Sequence, residues 1–347
     1  MYKKFKDLFK NLYKNFIILI FKIIYPCPSL FKKKITDKSV KNLKIVIDKN
    51  IYTLFKIING SIFTDSNDTT AFISEKNKII NASMQFYKFD KINSYNGKLS
   101  NNITLKIGTP KLRKKINGKI LSLLSGGAAK DNFTHWFTDV IPRICIFEKK
   151  FKLREIDKFY VPSFKHQYQI DSLKLLGIDK DKIISSEKVK HLKADCIYAT
   201  SHPCFYLPTK VKKWSIEYLN KKFRNKSNNK KYRKIFIDRD QLKIVDKDNL
   251  EKFKNYRILL NEKEIKSHLI SKGFKIIKPE NFSFEDQIKI FSSARYVIGL
   301  YGAAMMMLAF CRKKTNILEI KPILGGNEFK NISRLRKLNH KQINLKP

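Results

Sequence analysis

Val297–Pro322 reads VIGLYGAAMMMLAFCRKKTNILEIKP. A β-branched apolar run ends at Gly299, and Gly302 with Ala303 and Ala304 supplies small residues. An apolar segment that suits a helix continues to Phe310. A basic turn leads to a second apolar run, Ile317–Ile320. The order is strand, small-residue turn, helix, turn, strand, which is the unit of a parallel α/β sheet. In such sheets ligands bind at the carboxyl edge, and small residues there let a phosphate or sugar approach the backbone. The same residues also serve close helix–strand packing, and the sequence by itself does not separate the two uses.

Working outward, the alternation persists upstream. Lys234–Ile237 and Phe274–Ile277 read as strands, with helices over Glu262–Ser271, closed by Gly273, and Phe284–Ser293. A doubly wound parallel sheet follows for residues 232–347. The run NKSNNKK at 225–231 has no apolar periodicity and reads as a linker. Before it, residues 36–224 start with short apolar runs at Leu43–Ile47, Ile51–Ile58, Ala71–Ile73 and Ile120–Leu124, and Gly126-Gly127 breaks the chain. Strand and helix then alternate: Phe133–Phe147 helix, Phe159–Val161 strand, Gln167–Leu176 helix, Ile183–Ile184 and Cys196–Ala199 strands, Val211–Phe223 helix.

Residues 1–35 differ in kind. Lys3, Lys4, Lys6, Lys10, Lys14 and Lys22 are interleaved with Phe5, Leu8, Phe9, Leu12, Phe16 and Ile20, before Pro26 and Pro28 stop the pattern. The uninterrupted apolar core Phe16–Phe21 is far short of the roughly 20 residues that span a bilayer. No small-residue cleavage site follows. A basic amphipathic helix in 1–31 suits an anionic membrane surface, or packs on the protein's own body.

The chain has 347 residues, 43% of them hydrophobic, with 73 Lys and Arg against 30 Asp and Glu for a formal net charge of +43. Lys, Ile and Asn saturate every region, as A/T-rich codons would produce. The charge is dispersed, and no nucleic-acid-binding signature accompanies it, so no nucleic-acid partner is expected. Five scattered cysteines without a Cys-x-x-Cys pair exclude a disulfide framework or zinc site and place the chain in a reducing cytoplasm.

Two segments carry chemistry. In NFTHWFTDVIPR, His135 and Asp139 are four apart, so a helix puts them on one face. Histidine suits proton transfer near neutral pH, and a carboxylate one turn away orients it or holds a sugar hydroxyl; a structural pair would look the same. In IFIDRD, Arg239 follows a strand and offers a planar fork to a diphosphate. Asp238–Asp240 is also an Asp-x-Asp triplet, a metal–diphosphate pattern. Asp179–Asp181 and Asp246–Asp248 repeat it in Lys-rich turns, which marks it as cheap, and no metal or other cofactor is expected.

Together these pieces resemble glycosyltransferase family 61, of the type found in bacterial capsular polysaccharide and lipopolysaccharide biosynthesis. The resemblance rests on His135-Trp136-x-x-Asp139-x-x-Pro142-Arg143, then Arg239, Arg257, Asn261-Glu262, Gly273-Phe274, Pro279-Glu280 and Phe284-x-x-Gln287, and the segment from Gly302 to Ile320. It covers Gly126 to Pro322. It implies a GT-B architecture, two Rossmann-like domains facing a central cleft, and inverting, metal-independent transfer from a nucleotide-sugar donor to a glycan or lipid-linked acceptor. On this resemblance His135 and Asp139 are catalytic. Arg239, Tyr301, Gly302, Ala303, Ala304 and Glu319 bind the nucleotide-sugar, with Glu319 at a strand end, and Trp136 and Arg143 bind the acceptor. Tyr301 and Met307 stand where many members have His or Thr and Asn. The implied location is cytoplasmic, peripheral on the inner face of the membrane. A basic binding protein or a GT-B epimerase are the alternative readings.

Overall fold

The computed structural model describes residues 2–31, 37–65, 69–84, 98–124, 130–204, 211–223, 230–239, 259, 261–322 and 325–345. Gly126-Gly127, most of the expected linker at 225–231, Asp240, Asp246, Asp248 and Arg257 lie outside them. The fold is mixed α/β, in two compact units. An N-terminal unit comprises Met1–Asp131, Asp139–Phe164 and Asp179–Leu207. A C-terminal unit comprises Asn132–Thr138, Lys165–Ile178 and Pro208–Pro347.

The N-terminal unit is built on one sheet. Strands β1 (Val40–Ile47) and β2 (Asn50–Ile58) form a hairpin that continues antiparallel onto β8 (His191–Thr200), and β3 (Ser61–Thr64) joins β8 to β4 (Thr70–Ile73). On the other side of β8, β5 (Lys114–Ser122), β6 (Lys158–Val161) and β7 (Ile183–Ser185) are parallel to it. The parallel strands lie in the order β7-β6-β5-β8, the 3-2-1-4 order of a mononucleotide-binding half. The unit is therefore only half Rossmann-like, because the four strands β1–β4, which join it antiparallel through β8, share its sheet. Apolar side chains of both portions, among them Phe55, Ile57, Ile62, Phe72, Ile120, Tyr160, Leu192 and Ile197, close one core. The short helix α2 (Thr104–Ile107) caps its edge, with buried Asn102 donating to the carbonyls of Thr70 and Ser83.

Helix α1 (Tyr2–Ile24) also belongs to this unit. Its far end is tied down: Tyr25 packs edge-on against His191, and the Arg113 guanidinium lies 4.2 Å from the Tyr25 ring centre. The rest of the helix does not bury an apolar face. Phe5, Leu8, Phe9, Leu12, Tyr13, Phe16, Leu19 and Ile23 are all exposed. Among the described residues no helix is long and apolar enough to cross a membrane.

The C-terminal unit has five parallel strands, β9 (Lys234–Ile237), β10 (Lys275–Ile277), β11 (Tyr296–Leu300), β12 (Asn316–Pro322) and β13 (Asn339–Leu345). Their spatial order is β10-β9-β11-β12-β13, the 2-1-3-4-5 order of a flavodoxin-like doubly wound sheet. Helices α7 (Glu262–Ser271), α8 (Phe284–Ser293) and α9 (Glu328–Arg336) belong to its crossovers. Between β11 and β12 the expected helix is a 3₁₀ segment, Ala303–Phe310, and its Met305–Phe310 side is wholly buried.

The boundary between units is not the sequence boundary. Helices α5 (Gln167–Leu175) and α6 (Lys213–Phe223), both N-terminal to the expected linker, belong to the C-terminal unit. The physical reason is an aromatic cluster. Phe223 meets Phe284 and Phe310 edge-on, and Phe133 meets Tyr168 and Phe284, which removes large apolar rings from water together. Lys230–Tyr232, at the end of the expected linker, is a short 3₁₀ turn that leads into β9.

Candidate active site

In the C-terminal unit the strand order reverses between β9 and β11. At such a switch point the crossovers leave on opposite faces and open a crevice at the carboxyl ends. The residues just past those ends are Asp238-Arg239 and Tyr301-Gly302. Arg239 Nη1 donates to the Tyr301 carbonyl at 3.2 Å. Its guanidinium also lies where a side chain at position 302 would begin: a Cβ on Gly302 would sit 3.0 Å from Nη1 and 3.1 Å from Cζ. Glycine at 302 thus permits the close approach of the arginine. Gly299 has the other role foreseen for small residues, since its Cβ would crowd Ile237 and the Met305 sulfur at 3.1 and 3.2 Å.

The 3₁₀ segment starts directly after Gly302. Its first helical bond is Met305 N–H to the Gly302 carbonyl at 2.9 Å, so the N–H groups of Ala303 and Ala304 precede the ladder at its open end. Behind Arg239 the Asp238 carboxylate, 2% exposed, is held by Lys266 Nζ at 2.8 Å, and Glu262 holds the same ammonium at 3.3 Å. Burial opposes the charge on Lys266, yet the two carboxylates together push its pKa up. Burial pushes the Glu262 carboxyl up as well, against the pull of Lys266. Beyond β12, Lys321 Nζ donates to the carbonyls of Gly325 and Gly326, and the Tyr301 hydroxyl binds the Glu328 carboxylate and accepts the Gly326 N–H. Tyr301 and Lys321 therefore pin the loop at the neighbouring strand end.

The segment carrying His135 enters the same unit. Asn132 caps α3 (Phe133–His135) through its side-chain oxygen, which accepts the His135 N–H at 3.2 Å. The Thr134 hydroxyl reaches the Ala303 carbonyl at 3.5 Å, which sets half-buried His135 beside the turn that follows Gly302. Trp136, fully buried, donates its indole N–H to Ser172 Oγ at 2.9 Å, and Phe137 stacks on Phe284 with ring centres 4.7 Å apart.

Helical winding then changes. Trp136–Val140 forms a π turn before α4 (Ile141–Glu148). Pro142 explains it: proline has no N–H for the Thr138 carbonyl, and its ring crowds that oxygen, so the ladder loosens by one residue ahead of it. Thr138 instead turns its hydroxyl back to the Thr134 carbonyl at 3.0 Å.

From Asp139 onward the contacts are in the N-terminal unit, beside the β5/β8 switch point. Arg143, 1% exposed, donates Nε to the Asp139 carbonyl at 2.8 Å and Nη1 to the Thr200 carbonyl at 3.1 Å. Its charge thus ties the start of α4 to the end of β8. The Asp139 carboxylate, 2% exposed, lies 3.6 Å from His202 Nε2. Cys204 completes a buried trio, with ligand-type atoms of all three within 4.8 Å of one another.

Compared with the sequence expectations, the structure brings Arg239, Tyr301, Gly302 and Ala303 together, with His135 on the adjoining segment. It places Trp136 and Arg143, expected to contact an acceptor, in the interior as packing and backbone-holding groups. Glu319 is not at a strand end. Strand β12 runs on to Pro322, and Glu319 is fully buried, accepting from Gln342 at 2.7 Å with His340 Nε2 at 3.0 Å. Of the Asp-x-Asp triplets, Asp179 and Asp181 are exposed beside a 3₁₀ turn, and Asp238 is engaged by Lys266. Lys266, Lys321, His202 and Cys204 escaped the sequence reading. Nothing in their spacing sets them apart from other lysines, histidines and cysteines, and only burial beside a strand end singles them out.

No curated protein matches this chain. The sequence profile of the family described as Glycosyltransferase 61 matches residues 133–318, more than half of the chain and the span that holds both clusters of residues. The match begins at the helix of His135 and ends in β12, and the chain belongs to glycosyltransferase family 61.

Proposed function

We propose that this glycosyltransferase moves a sugar, with inversion, from a nucleotide-sugar donor to a glycan or lipid-linked acceptor of a surface polysaccharide such as capsule or lipopolysaccharide. The observation that carries the donor assignment is Arg239 lying against Gly302 at a topological switch point. In this reading the Arg239 fork and the N–H groups of Ala303 and Ala304 take the diphosphate, with Tyr301 shaping the loop beside it. These donors stabilise the charge that develops as the diphosphate departs. The Asp238 carboxylate is already neutralised by Lys266, which supports diphosphate binding without a metal ion. The GT-B arrangement belongs to the same proposal, supported by the switch-point strand order found in each unit's own sheet.

Inversion needs one base to take the acceptor hydroxyl proton while the sugar carbon is attacked from the face opposite the diphosphate. Half-buried His135 has the accessibility of a base, and buried Asp139 has that of the group that orients it and steadies the imidazolium. The test is a panel of UDP-, GDP-, CMP- and dTDP-sugars, with thermal shift for binding and product analysis for transfer. One donor is expected to stabilise the protein and to lose its sugar to an acceptor. His135→Ala is expected to lower turnover per folded molecule by roughly a hundredfold to ten-thousandfold with nucleotide binding kept. Stabilisation by RNA or DNA but by no nucleotide-sugar would refute the reading. Conversion of the donor without an acceptor would replace it with epimerisation.

The same proposal places the enzyme on the cytoplasmic face of the membrane through residues 1–31. Its support is helix α1, whose apolar side chains are exposed beside lysines at positions 6, 10, 14 and 22. Flotation with vesicles containing phosphatidylglycerol is expected, and with pure phosphatidylcholine is not. Equal binding to both, or to neither, would remove this location.

A further inference from the structure

Tyr301 is held at both ends. Its N–H donates to the Ile320 carbonyl at 2.8 Å, and its own carbonyl receives Arg239 Nη1 at 3.2 Å. Its hydroxyl donates to Glu328 Oε1 and accepts the Gly326 N–H at 3.2 Å. The ring lies edge-on to Phe329, with centres 5.3 Å apart. One residue thus joins the turn after β11 to the loop after β12.

That loop is arranged so that Glu328 reaches the hydroxyl. Lys321 Nζ gathers the Gly325 and Gly326 carbonyls and Asn327 Oδ1 at 2.9, 3.0 and 3.2 Å, which fixes the backbone just before α9. Glu328 is the first residue of α9, where the helix dipole favours a carboxylate. A Cβ on Gly326 would collide with Glu328 Oε2 and stand 3.1 Å from the Tyr301 hydroxyl oxygen. No side chain at 326 is compatible with the carboxylate and the phenol as they stand. Folding gains little from this carboxylate. Among the described residues it makes one hydrogen bond, and Oε2 is buried without a partner. An unpaired buried oxygen costs stability, so what Glu328 contributes is the hold on Tyr301.

We propose that Glu328 is a positioning residue for the donor site, acting through Tyr301. The peptide is planar, so anchoring Tyr301 at its phenol and at its N–H leaves its carbonyl little freedom. That carbonyl in turn aims the Arg239 fork. Glu328 itself touches no substrate and exchanges no proton. The effect on donor binding rests on the reading of Arg239 given above, whereas the hold on the guanidinium does not.

The test uses the full chain labelled with ¹⁵N-arginine, the Arg239 side-chain signals being assigned by their loss in Arg239→Lys. In the parent, the bond from Nη1 to the Tyr301 carbonyl should slow rotation of the guanidinium and keep its two Nη signals apart. In Glu328→Ala they are expected to merge. Titration calorimetry with UDP, GDP and dTDP is expected to show binding weakened roughly threefold to tenfold in Glu328→Ala, the scale of one hydrogen bond. Tyr301→Phe removes only the hydroxyl and should lose as much, and the double variant no more than either alone. Glu328→Gln keeps an acceptor for the phenol and should recover part of the loss. Gly326→Ala displaces the carboxylate without removing it and should resemble Glu328→Ala. Melting curves confine the comparison to folded protein. Unchanged Arg239 signals in folded Glu328→Ala overturn the proposal, as do additive losses in the double variant or a glutamine variant no better than alanine. Parent-like nucleotide affinity in Arg239→Ala would sink the donor reading instead. The Arg239 signals, which need no nucleotide, would still decide whether Glu328 positions the guanidinium.

Discussion

Gly302→Ala is the smallest change that probes the proposed donor site. The backbone at 302 is extended, with φ 171°, so alanine adds no conformational strain there. Its cost is steric. The new methyl would lie 3.0 Å from Arg239 Nη1, 3.1 Å from Cζ and 3.4 Å from Nε. Ordinary contacts are a few tenths of an ångström longer, so the guanidinium must retreat by about that much. The Nη1 bond to the Tyr301 carbonyl, now 3.2 Å, would stretch to the edge of hydrogen bonding. A hydrogen bond from a charged group is worth about 1.5–3 kcal/mol, so a displaced fork should weaken nucleoside-diphosphate binding by roughly tenfold to a hundredfold. Isothermal titration with UDP, GDP and dTDP gives the affinities, and a melting curve checks the fold. The arginine supplies an internal control. In an Arg239→Ala background the three nearest atoms to the methyl are gone, so Gly302→Ala should then cost less, and the cycle should show strong coupling. Unchanged affinity in a folded Gly302→Ala protein, or additive losses in the double variant, would refute the assignment of this turn to the diphosphate.

Three further outcomes follow from the same structure. Arg239→Ala should weaken nucleotide-sugar binding more than Arg239→Lys, because lysine keeps a charge but loses the planar fork; equal affinity in parent and alanine variant would show that Arg239 does not touch the donor. Turnover should survive EDTA, given the Lys266 ammonium on Asp238, whereas complete loss restored by manganese would make the Asp238 region a metal site. Buried His191 makes stability depend on pH: burial, and Arg113 beside it, push its pKa down to about 4, against the opposing bond of Nδ1 to the Lys111 carbonyl. An unfolded histidine titrates near 6.5, so as pH falls from there toward 4 the unfolded chain takes up a proton that the folded ring refuses. Roughly 2 kcal/mol of stability should be lost by pH 5, with none of it lost above neutrality. Denaturant melts at pH 7.5 and 5 should show a smaller drop for His191→Gln than for the parent, and parallel drops would remove His191 as the cause.

The parallel sheet of the C-terminal unit was legible because its inner strands are covered on both faces and read as apolar runs, KIFI, YVIGL and NILEI. Strand β13, NHKQINL, gave no such signal. It is an edge strand with a mostly exposed surface, and what recruits it is a buried carboxylate on its neighbour: Glu319 is opposite Gln342 and within reach of His340. The partition into units was equally hidden. Whether α5 and α6 pack with the sheet that precedes or follows them depends on Tyr168 finding Phe133 and on Phe223 finding Phe284 and Phe310, contacts between residues 35, 61 and 87 positions apart. The π turn lies between these cases. Pro142 announced a disturbance, but where the extra residue would sit depended on how Trp136 and Asp139 were each held.

Site residues follow the same division. That Arg239 and Gly302 follow strand ends was legible because a strand end and the residues after it are adjacent in sequence, and the switch point needs only the order of strands. The nearness of His202 and Cys204 to Asp139 was not legible, because it arises only once β8 lies beside β5 and the helix after β5 brings Asp139 to them. Charge shows the limit most clearly. With 73 lysines and arginines, a basic residue in this sequence carries almost no information. Enclosure restores it. Solvated lysines are nearly free of cost, but Arg143 at 1% exposure and Lys321 at 5% have left water, and each is stable there only through specific acceptors. Those acceptors are the carbonyls of Asp139 and Thr200 for Arg143, and of Gly325 and Gly326 for Lys321. Both cations therefore hold backbone at strand ends, Arg143 at the end of β8 and Lys321 beyond the end of β12. Replacing either would release the backbone it holds before its lost charge mattered to any ligand.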